Sequence, residues 1–420
     1  MSQHTMDVLK IATAGSVDDG KSTLIGRLLY DTKSLTTDKL AAIEEKSKTN
    51  GYDYLDFSLA TDGLVAEREQ GITIDVAHIY FSTENRSYII ADTPGHIEYT
   101  RNMVTGASTS QASIILIDAR HGVSEQTYRH FFINNLLRVS NVIVAVNKMD
   151  LVNYSESVFT EIKQSFNDII EKSSFKSQQI NFVPISALKG DNVAKPSEAM
   201  SWYKGETVLN ALEKLQPNNE GSHVQPRFPV QYVIRPKTEA YHDYRGYAGK
   251  VKGGSFRVGD SVMVMPSGTI SKIEGINQYD TQYEEALSGA SVSITLLDDI
   301  NISRGDMLVK VNKAPKVEKQ LSATLSWMDA NTLQEGSKYV LQHGVNKVLA
   351  KVKQINHKIE PDFSGQDNTV KSLKMNDLAS VSLQLNKPIY SDAYTEHKQN
   401  GAFILIDQHT NNTAAVGFIE

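Results

Sequence analysis

The chain has 420 residues, enough for about three domains of ordinary size, and its 40% hydrophobic and 22% charged content is that of a folded protein, not a disordered or fibrous one. Its 43 basic and 49 acidic residues leave a net charge of -6, which excludes a strongly basic nucleic-acid binder but not a local nucleic-acid contact. With no cysteine, disulfides, thiolate catalysis and cysteine-ligated zinc or iron–sulfur centres are excluded.

The amino-terminal MSQHTMDVLKIATAG has no export pattern, and no stretch approaches about 18 consecutive apolar residues, so a cytoplasmic protein is expected. The first two hundred residues alternate short apolar strands with helical stretches, the pattern of βαβ units on a parallel sheet. Strands are predicted at 8–14, 88–91, 114–117, 142–146 and 182–185, each running into polar or glycine-bearing residues. In open α/β sheets ligands gather at the carboxyl ends of strands, so chemistry is expected there. Val208, Ala211, Leu212 and Leu215 share one helical face ahead of the breaker-rich stretch 217–226, where a domain boundary is expected.

From Arg227 the period changes to short alternating strands cut by turns, which predicts a β-barrel or sandwich. A second all-β stretch follows Pro315, with Val348, Ala350 and Val352 alternating against Lys351 and Lys353, and ends in the apolar run 402–406. The lysines read as a solvated outer face, with contact to an acidic partner as the other reading.

After the first strand, Gly15-Ser16-Val17-Asp18-Asp19-Gly20-Lys21-Ser22 matches the P-loop pattern G-x-x-x-x-G-K-[ST], with helix-compatible Thr23 to Leu29 behind it. Gly15 and Gly20 let the backbone wrap a phosphate so that successive N–H groups and a helix N-terminus face the anion. Lys21 supplies positive charge to the β and γ phosphates, and Ser22 offers its hydroxyl to Mg²⁺.

Two further strand ends select the base. The fourth predicted strand runs into Asn147-Lys148-Met149-Asp150 and the fifth into Ser186-Ala187-Leu188. The Asp150 carboxylate can accept from the N1–H and 2-amino group of guanine and would meet an acceptor in adenine. Asn147 braces the pocket, the Lys148 stem lies along the base, and the backbone at Ser186 and Ala187 is expected to donate to O6. GTP is therefore the expected nucleotide.

The strand at 88–91 runs into Asp92-Thr93-Pro94-Gly95-His96. Asp92 is expected in the Mg²⁺ shell, the Gly95 N–H as a γ-phosphate sensor, and His96 in positioning the attacking water. Between P-loop and sensor lies Gly71-Ile72-Thr73-Ile74, where the Thr73 hydroxyl and carbonyl can close over Mg²⁺ and the γ phosphate. Thr73 follows Ser22 by 51 residues, which makes a long lid; a helix around Leu40 and Ile43 within it has no assigned role. Expected catalytic residues are His96, Lys21 and Thr73, and expected metal ligands are Ser22, Thr73 and Asp92.

This ordered set resembles the translational GTPase superfamily, above all its elongation-factor branch. The resemblance implies an α/β P-loop GTPase domain at 1–222 followed by two all-β barrel domains at 223–315 and 316–420. It also implies that Val17 and Ile72 form an apolar gate flanking His96 and that Asp18 helps bind a cation. Within the superfamily the chain is most similar to the GTPase large subunits of bacterial sulfate adenylyltransferase, through Lys21-Ser-Thr-Leu-Ile-Gly-Arg-Leu-Leu-Tyr-Asp-Thr32, Glu98-Tyr-Thr-Arg-Asn-Met-Val-Thr-Gly-Ala-Ser108, Arg227-Phe-Pro-Val-Gln-Tyr-Val233, Arg245-Gly-Tyr-Ala-Gly249, Ile302-Ser-Arg-Gly-Asp306 and Gly401-Ala-Phe-Ile-Leu-Ile-Asp407. That family implies a partner, a small adenylyltransferase subunit that binds ATP and sulfate, with no membrane or nucleic-acid partner.

Two departures, His397-Lys398 and Tyr241-His242-Asp243, are expected to alter the partner surface. No second P-loop follows the barrels, so a fused adenylylsulfate kinase activity is not expected. The competing readings are an elongation-type factor delivering aminoacyl-tRNA, against which Arg245-Gly-Tyr-Ala-Gly249 stands in place of the R-G-T-V-x-x-G run, and a GTP-gated scaffold with no coupled reaction.

Overall fold

The computed structural model describes residues 8–49, 51, 54–60, 76–94, 100–216, 224–236 and 244–420. The chain packs as two compact units, Met1–Asn218 with Glu360–Gly365 and Asn219–Ile359 with Gln366–Glu420. Among the described residues no helix is long and apolar enough to cross a membrane.

The first unit holds strands β1 (Val8–Ala14), β2 (Ala77–Ser82), β3 (Ser87–Asp92), β4 (Ala112–Asp118), β5 (Asn141–Asn147) and β6 (Gln179–Pro184) in one sheet of order β2-β3-β1-β4-β5-β6. Around it run helices α1 (Lys21–Asp31), α2 (Thr37–Thr49), α3 (Thr100–Ala107), α4 (Glu125–Leu136), α5 (Glu156–Lys172) and α6 (Val208–Lys214). β4 and β5 are buried at every residue, as expected of central parallel strands covered on both faces. Leu9, Ile11, Leu24, Leu28, Ile114 and Ile143 share the core, each fully buried and contributing about 1.5–3 kcal/mol. That core fixes the carboxyl ends of β1, β3, β4 and β5 relative to one another, and the nucleotide motifs follow those ends.

The sheet is not wholly parallel, a correction to the βαβ reading: β2 pairs antiparallel with β3, Ala77 opposite Asp92 and Ser82 opposite Ser87. Along β2 only Phe81 is buried, so this edge strand lacks the run of buried residues that marks the central strands β4 and β5.

The second unit contains two closed sheets. The first takes β7 (Arg227–Ile234), β8 (Gly246–Lys250), β9 (Ser255–Arg257), β10 (Ser261–Met265), β11 (Thr269–Gln278), β12 (Thr281–Tyr283), β13 (Glu285–Leu287), β14 (Ser291–Leu296) and β15 (Met307–Lys310). Seven of these run in the order β10-β15-β7-β8-β14-β11-β12, closed by β10 on β11, with β9 and β13 as a separate ribbon. The second takes β16 (Lys316–Trp327), β17 (Leu333–Gln334), β18 (Lys338–His343), β19 (Asn346–Ile359), β20 (Gln366–Asp367), β21 (Ser372–Leu373), β22 (Leu378–Ser391), β23 (Ala402–Ile406) and β24 (Thr413–Ile419). Seven of these run in the order β18-β23-β24-β16-β22-β19-β20, closed by β18 on β19, with β17 and β21 as a separate ribbon.

Polar contacts join the two barrels. Arg227 donates through Nε and Nη2 to Asp392 at 2.9 and 2.8 Å, and the buried Asn400 amide donates to the same carboxylate at 2.8 Å. Lys252 Nζ donates to the Gln399 carbonyl at 2.7 Å, and on the second barrel's side of the joint His343 Nε2 lies 2.8 Å from the Asn400 carbonyl oxygen. His397 is only 4% exposed and sits in this joint, so it forms no part of a partner surface, contrary to the expectation. Tyr241, His242 and Asp243 lie outside the described residues.

Candidate nucleotide site

The P-loop leaves β1 at Ala14 and enters α1 at Lys21. It turns back on itself through two left-handed residues, Asp18 at φ 69° and Gly20 at φ 91°. Asp19 locks the turn: its Oδ2 accepts the Ser16 N–H at 2.6 Å while its own N–H donates to the Ser16 carbonyl at 3.2 Å. Burial pushes the Asp19 carboxyl above its ordinary value, opposed by that Ser16 bond. The N-cap residue Gly20 carries no side chain to cap the first turn of α1, and the N-terminus of that helix opens on the loop, the arrangement that suits an anion.

Lys21 and Asp92 meet in this hollow, Nζ to Oδ1 at 3.2 Å, both nearly buried. Asp92 also accepts from the Thr13 hydroxyl at 3.2 Å, and the Thr93 hydroxyl returns a bond to the Thr13 carbonyl at 2.5 Å, which fixes the end of β3 against β1. Ser22 and Thr23 follow on α1, both partly exposed, Pro94 is buried, and Val17 is 42% exposed on the loop. Gly95, His96 and Thr73, with Gly71, Ile72 and Ile74, lie outside the described residues.

The base side is tied to the phosphate side through Asn147. Its Nδ2 donates to the Asp19 carbonyl at 2.8 Å and its Oδ1 accepts the Ala187 N–H at 2.9 Å, so one buried amide joins the P-loop to the Ser186-Ala187-Leu188 loop. Met149 is fully buried beneath this turn, and the Asp150 carboxylate accepts no hydrogen bond from the described residues.

Here the structure corrects one expectation. The Ser186 N–H donates to the Asp191 carbonyl at 3.2 Å and the Ala187 N–H to Asn147, so neither is spare for O6 of a base. The Leu188 N–H is the donor of this loop with no acceptor among the described residues. The competing demand is that buried backbone donors be satisfied inside the fold, which residue pattern alone does not reveal.

Two residues were not anticipated. Asp118, at the carboxyl end of β4, receives Lys148 Nζ at 3.0 Å and Arg120 Nη2 at 2.6 Å, while Lys148 also donates to the Asp18 carbonyl. Burial disfavours the Asp118 charge, but the bonds from Arg120 and Lys148 outweigh it and hold the carboxyl well below the usual range. Arg27 on α1 pairs with Asp31 at 3.0 Å, reaches the Leu188 carbonyl at 3.5 Å, and lies 5.5 Å from the Phe57 ring centre. Only the polar residue at the end of the β4 run hinted at Asp118; nothing local hinted at Arg27.

These residues fit a guanine nucleotide. A helix N-terminus with no capping side chain on Gly20 and a buried lysine suit phosphates, and an Asp carboxylate that accepts no bond from the described residues suits a base presenting two adjacent donors. Among the described residues no three His, Asp or Glu side chains gather to hold a metal. Mg²⁺ is commonly held by one or two protein oxygens together with phosphate oxygens and water, which the Ser22 hydroxyl and the Asp92 carboxylate beside the P-loop fit.

Residues 6–218 match the elongation factor Tu GTP binding domain, and residues 320–420 match the GTP-eEF1A C-terminal domain-like family. Sulfate adenylyltransferase subunit 1 of Bacteroides thetaiotaomicron is 46% identical over 425 residues, covering 98% of this chain and 86% of that protein. The chain belongs to the sulfate adenylyltransferase subunit 1 family. A second family member, from Cellvibrio japonicus, is 45% identical over 423 residues, covering 100% of this chain and 88% of its own. The bifunctional enzyme CysN/CysC of Mycobacterium tuberculosis is 47% identical over 413 residues, covering 98% of this chain and 67% of that protein. The α/β nucleotide domain followed by β-barrels is the architecture this family assignment carries.

Proposed function

We propose that this subunit 1 family member hydrolyses GTP and couples the hydrolysis to adenylyl transfer on a separate small subunit that binds ATP and sulfate. In that transfer a sulfate oxygen attacks the α-phosphorus of ATP, the bond to the β-phosphate oxygen breaks, and adenosine 5′-phosphosulfate and pyrophosphate leave. The phosphoric–sulfuric anhydride is strongly uphill to form, so a second nucleotide's hydrolysis supplies a thermodynamic need. The reaction takes place in the cytoplasm and involves no nucleic acid or membrane.

The observation that best supports the reading is the Asn147 bridge, which makes base recognition and phosphate binding one rigid unit. Asp150 accepts from the N1–H and 2-amino group of guanine, the Lys148 stem lies along the base, and the Ser186-Ala187-Leu188 loop meets O6 through the Leu188 N–H. Lys21 releases Asp92 to meet the β and γ phosphates, and the Ser16 to Thr23 backbone cradles them. Ser22, Thr73 and Asp92 would hold Mg²⁺, which neutralises charge developing on the phosphates when bound. The Gly95 N–H senses the γ phosphate and His96 orients the attacking water, with Val17 and Ile72 flanking it and Asp18 near a second cation.

His96→Ala tests the catalytic part. GTP turnover should fall by orders of magnitude while GTP affinity holds within a few fold. Unchanged turnover would remove His96 from the mechanism.

A further inference from the structure

The wall of the second barrel carries side chains that nucleotide chemistry does not use. Along β19 the outward residues are Lys347, Leu349, Lys351 and Lys353, and along β18 they are Lys338, Val340 and Gln342. The register sets Lys338 opposite Lys351, Val340 opposite Leu349 and Gln342 opposite Lys347. On the other side of β18, Ile406 stands opposite Val340 and Ile404 opposite Gln342, both outward and half-buried. An aliphatic strip thus crosses three strands between lysines, with Leu349 46% exposed.

This arrangement departs from an ordinary solvated wall. Like charges directly opposite across a ladder destabilise it, yet Lys338 faces Lys351. Lysines often guard open sheet edges, but β18 pairs with β19 and closes this barrel, so there is no edge to guard. None of the four lysines makes an ion pair with a described residue. The bordering acids are engaged elsewhere, with Glu335 accepting the Ile355 N–H at 3.0 Å and Asp407 accepting the His409 and Thr410 N–H groups at 2.8 Å.

We propose that this β18–β19 ribbon docks an acidic segment of a partner protein, whose aliphatic residues cover Leu349 and Val340 and whose carboxylates meet Lys338, Lys347, Lys351 and Lys353. Residues 316–420 contain eleven lysines and no arginine, and the outward positions of β18 and β19 hold no aromatic ring. A nucleic-acid surface draws on arginine forks and stacking rings, so a protein carboxylate surface is the better match. That the partner is the small subunit rests on the functional reading above.

The test uses the full chain and the small subunit, with assembly measured by sedimentation at low and physiological salt. Lys338→Glu/Lys351→Glu should weaken assembly at least about tenfold and flatten its salt dependence, while Lys338→Arg/Lys351→Arg retains it. GTP affinity of each isolated variant should match the parent and so report folding. Assembly of the Glu variant equal to the parent overturns the surface while leaving the coupling reading intact, as does a loss confined to RNA binding. Failure of the parent chain itself to assemble counts against the coupling reading and removes the proposed occupant with it.

Discussion

The Asn147 side-chain nitrogen occupies the space in which a side chain on Gly20 would have to sit. Gly20 also holds a φ of 91°, a region that costs other residues, so backbone conformation and close approach exclude a side chain together. The contact joins the first and fourth nucleotide motifs at one point.

Gly20→Ala should therefore do more than strain a turn. It displaces Asn147 and, with it, the bonds to Asp19 and Ala187. We expect a loss of GTP affinity of about a hundredfold or more, read by calorimetry. An affinity within threefold of the parent would mean the bridge is dispensable.

Asp118 acts on the base side from a neighbouring strand end. Its carboxylate holds Lys148 at 3.0 Å, and its loss leaves that ammonium, among the described residues, with the Asp18 carbonyl alone. Asp118→Asn should weaken GTP and GDP binding alike by about tenfold, roughly 1.4 kcal/mol. Combined with Lys148→Ala it should add little to the lysine variant alone, the sign of one shared interaction. Additive losses would separate the two residues.

The joint between the barrels should make the second unit acid-sensitive. Burial pushes His343 down to about 4 and lowers His397 as well, with Lys252 and Arg227 nearby and Asp392 as the opposing charge. A histidine whose folded pKa is depressed is neutral in the fold, so its stability is present above the unfolded value of about 6.5 and drains as pH falls toward 4. Over that window His343 accounts for up to about 3 kcal/mol. Urea unfolding between pH 7.5 and 4.5, read at Trp327 on the barrel core, should lose stability steeply, and His343→Gln should flatten the slope. Identical slopes would place the acid sensitivity elsewhere.

Much of the nucleotide domain was legible because its cues are local. The runs that became β1, β4 and β5 are apolar for most of their length, and a glycine-bearing turn set between a strand and a helix is shaped to hold an anion. The barrels announced themselves through alternation, as along Lys347 to Lys353. What escaped was decided by distance in space. β2 hides because five of its six residues are not buried, Asp118 acts through Lys148 thirty positions later, and the Ser186 and Ala187 donors are consumed by Asp191 and Asn147. His397 looked like surface until the fold packed it beside Asp392 and Lys252.

The central claim is coupling, and its most direct measurement is pyrophosphate release from ATP and sulfate by the assembled chain and small subunit, with and without GTP, alongside phosphate release from GTP. The account predicts that release depends on GTP and is lost with His96→Ala, while the small subunit still binds ATP. Pyrophosphate release that ignores GTP, or GTP hydrolysis that responds to tRNA and ribosomes but not to ATP and sulfate, would contradict it.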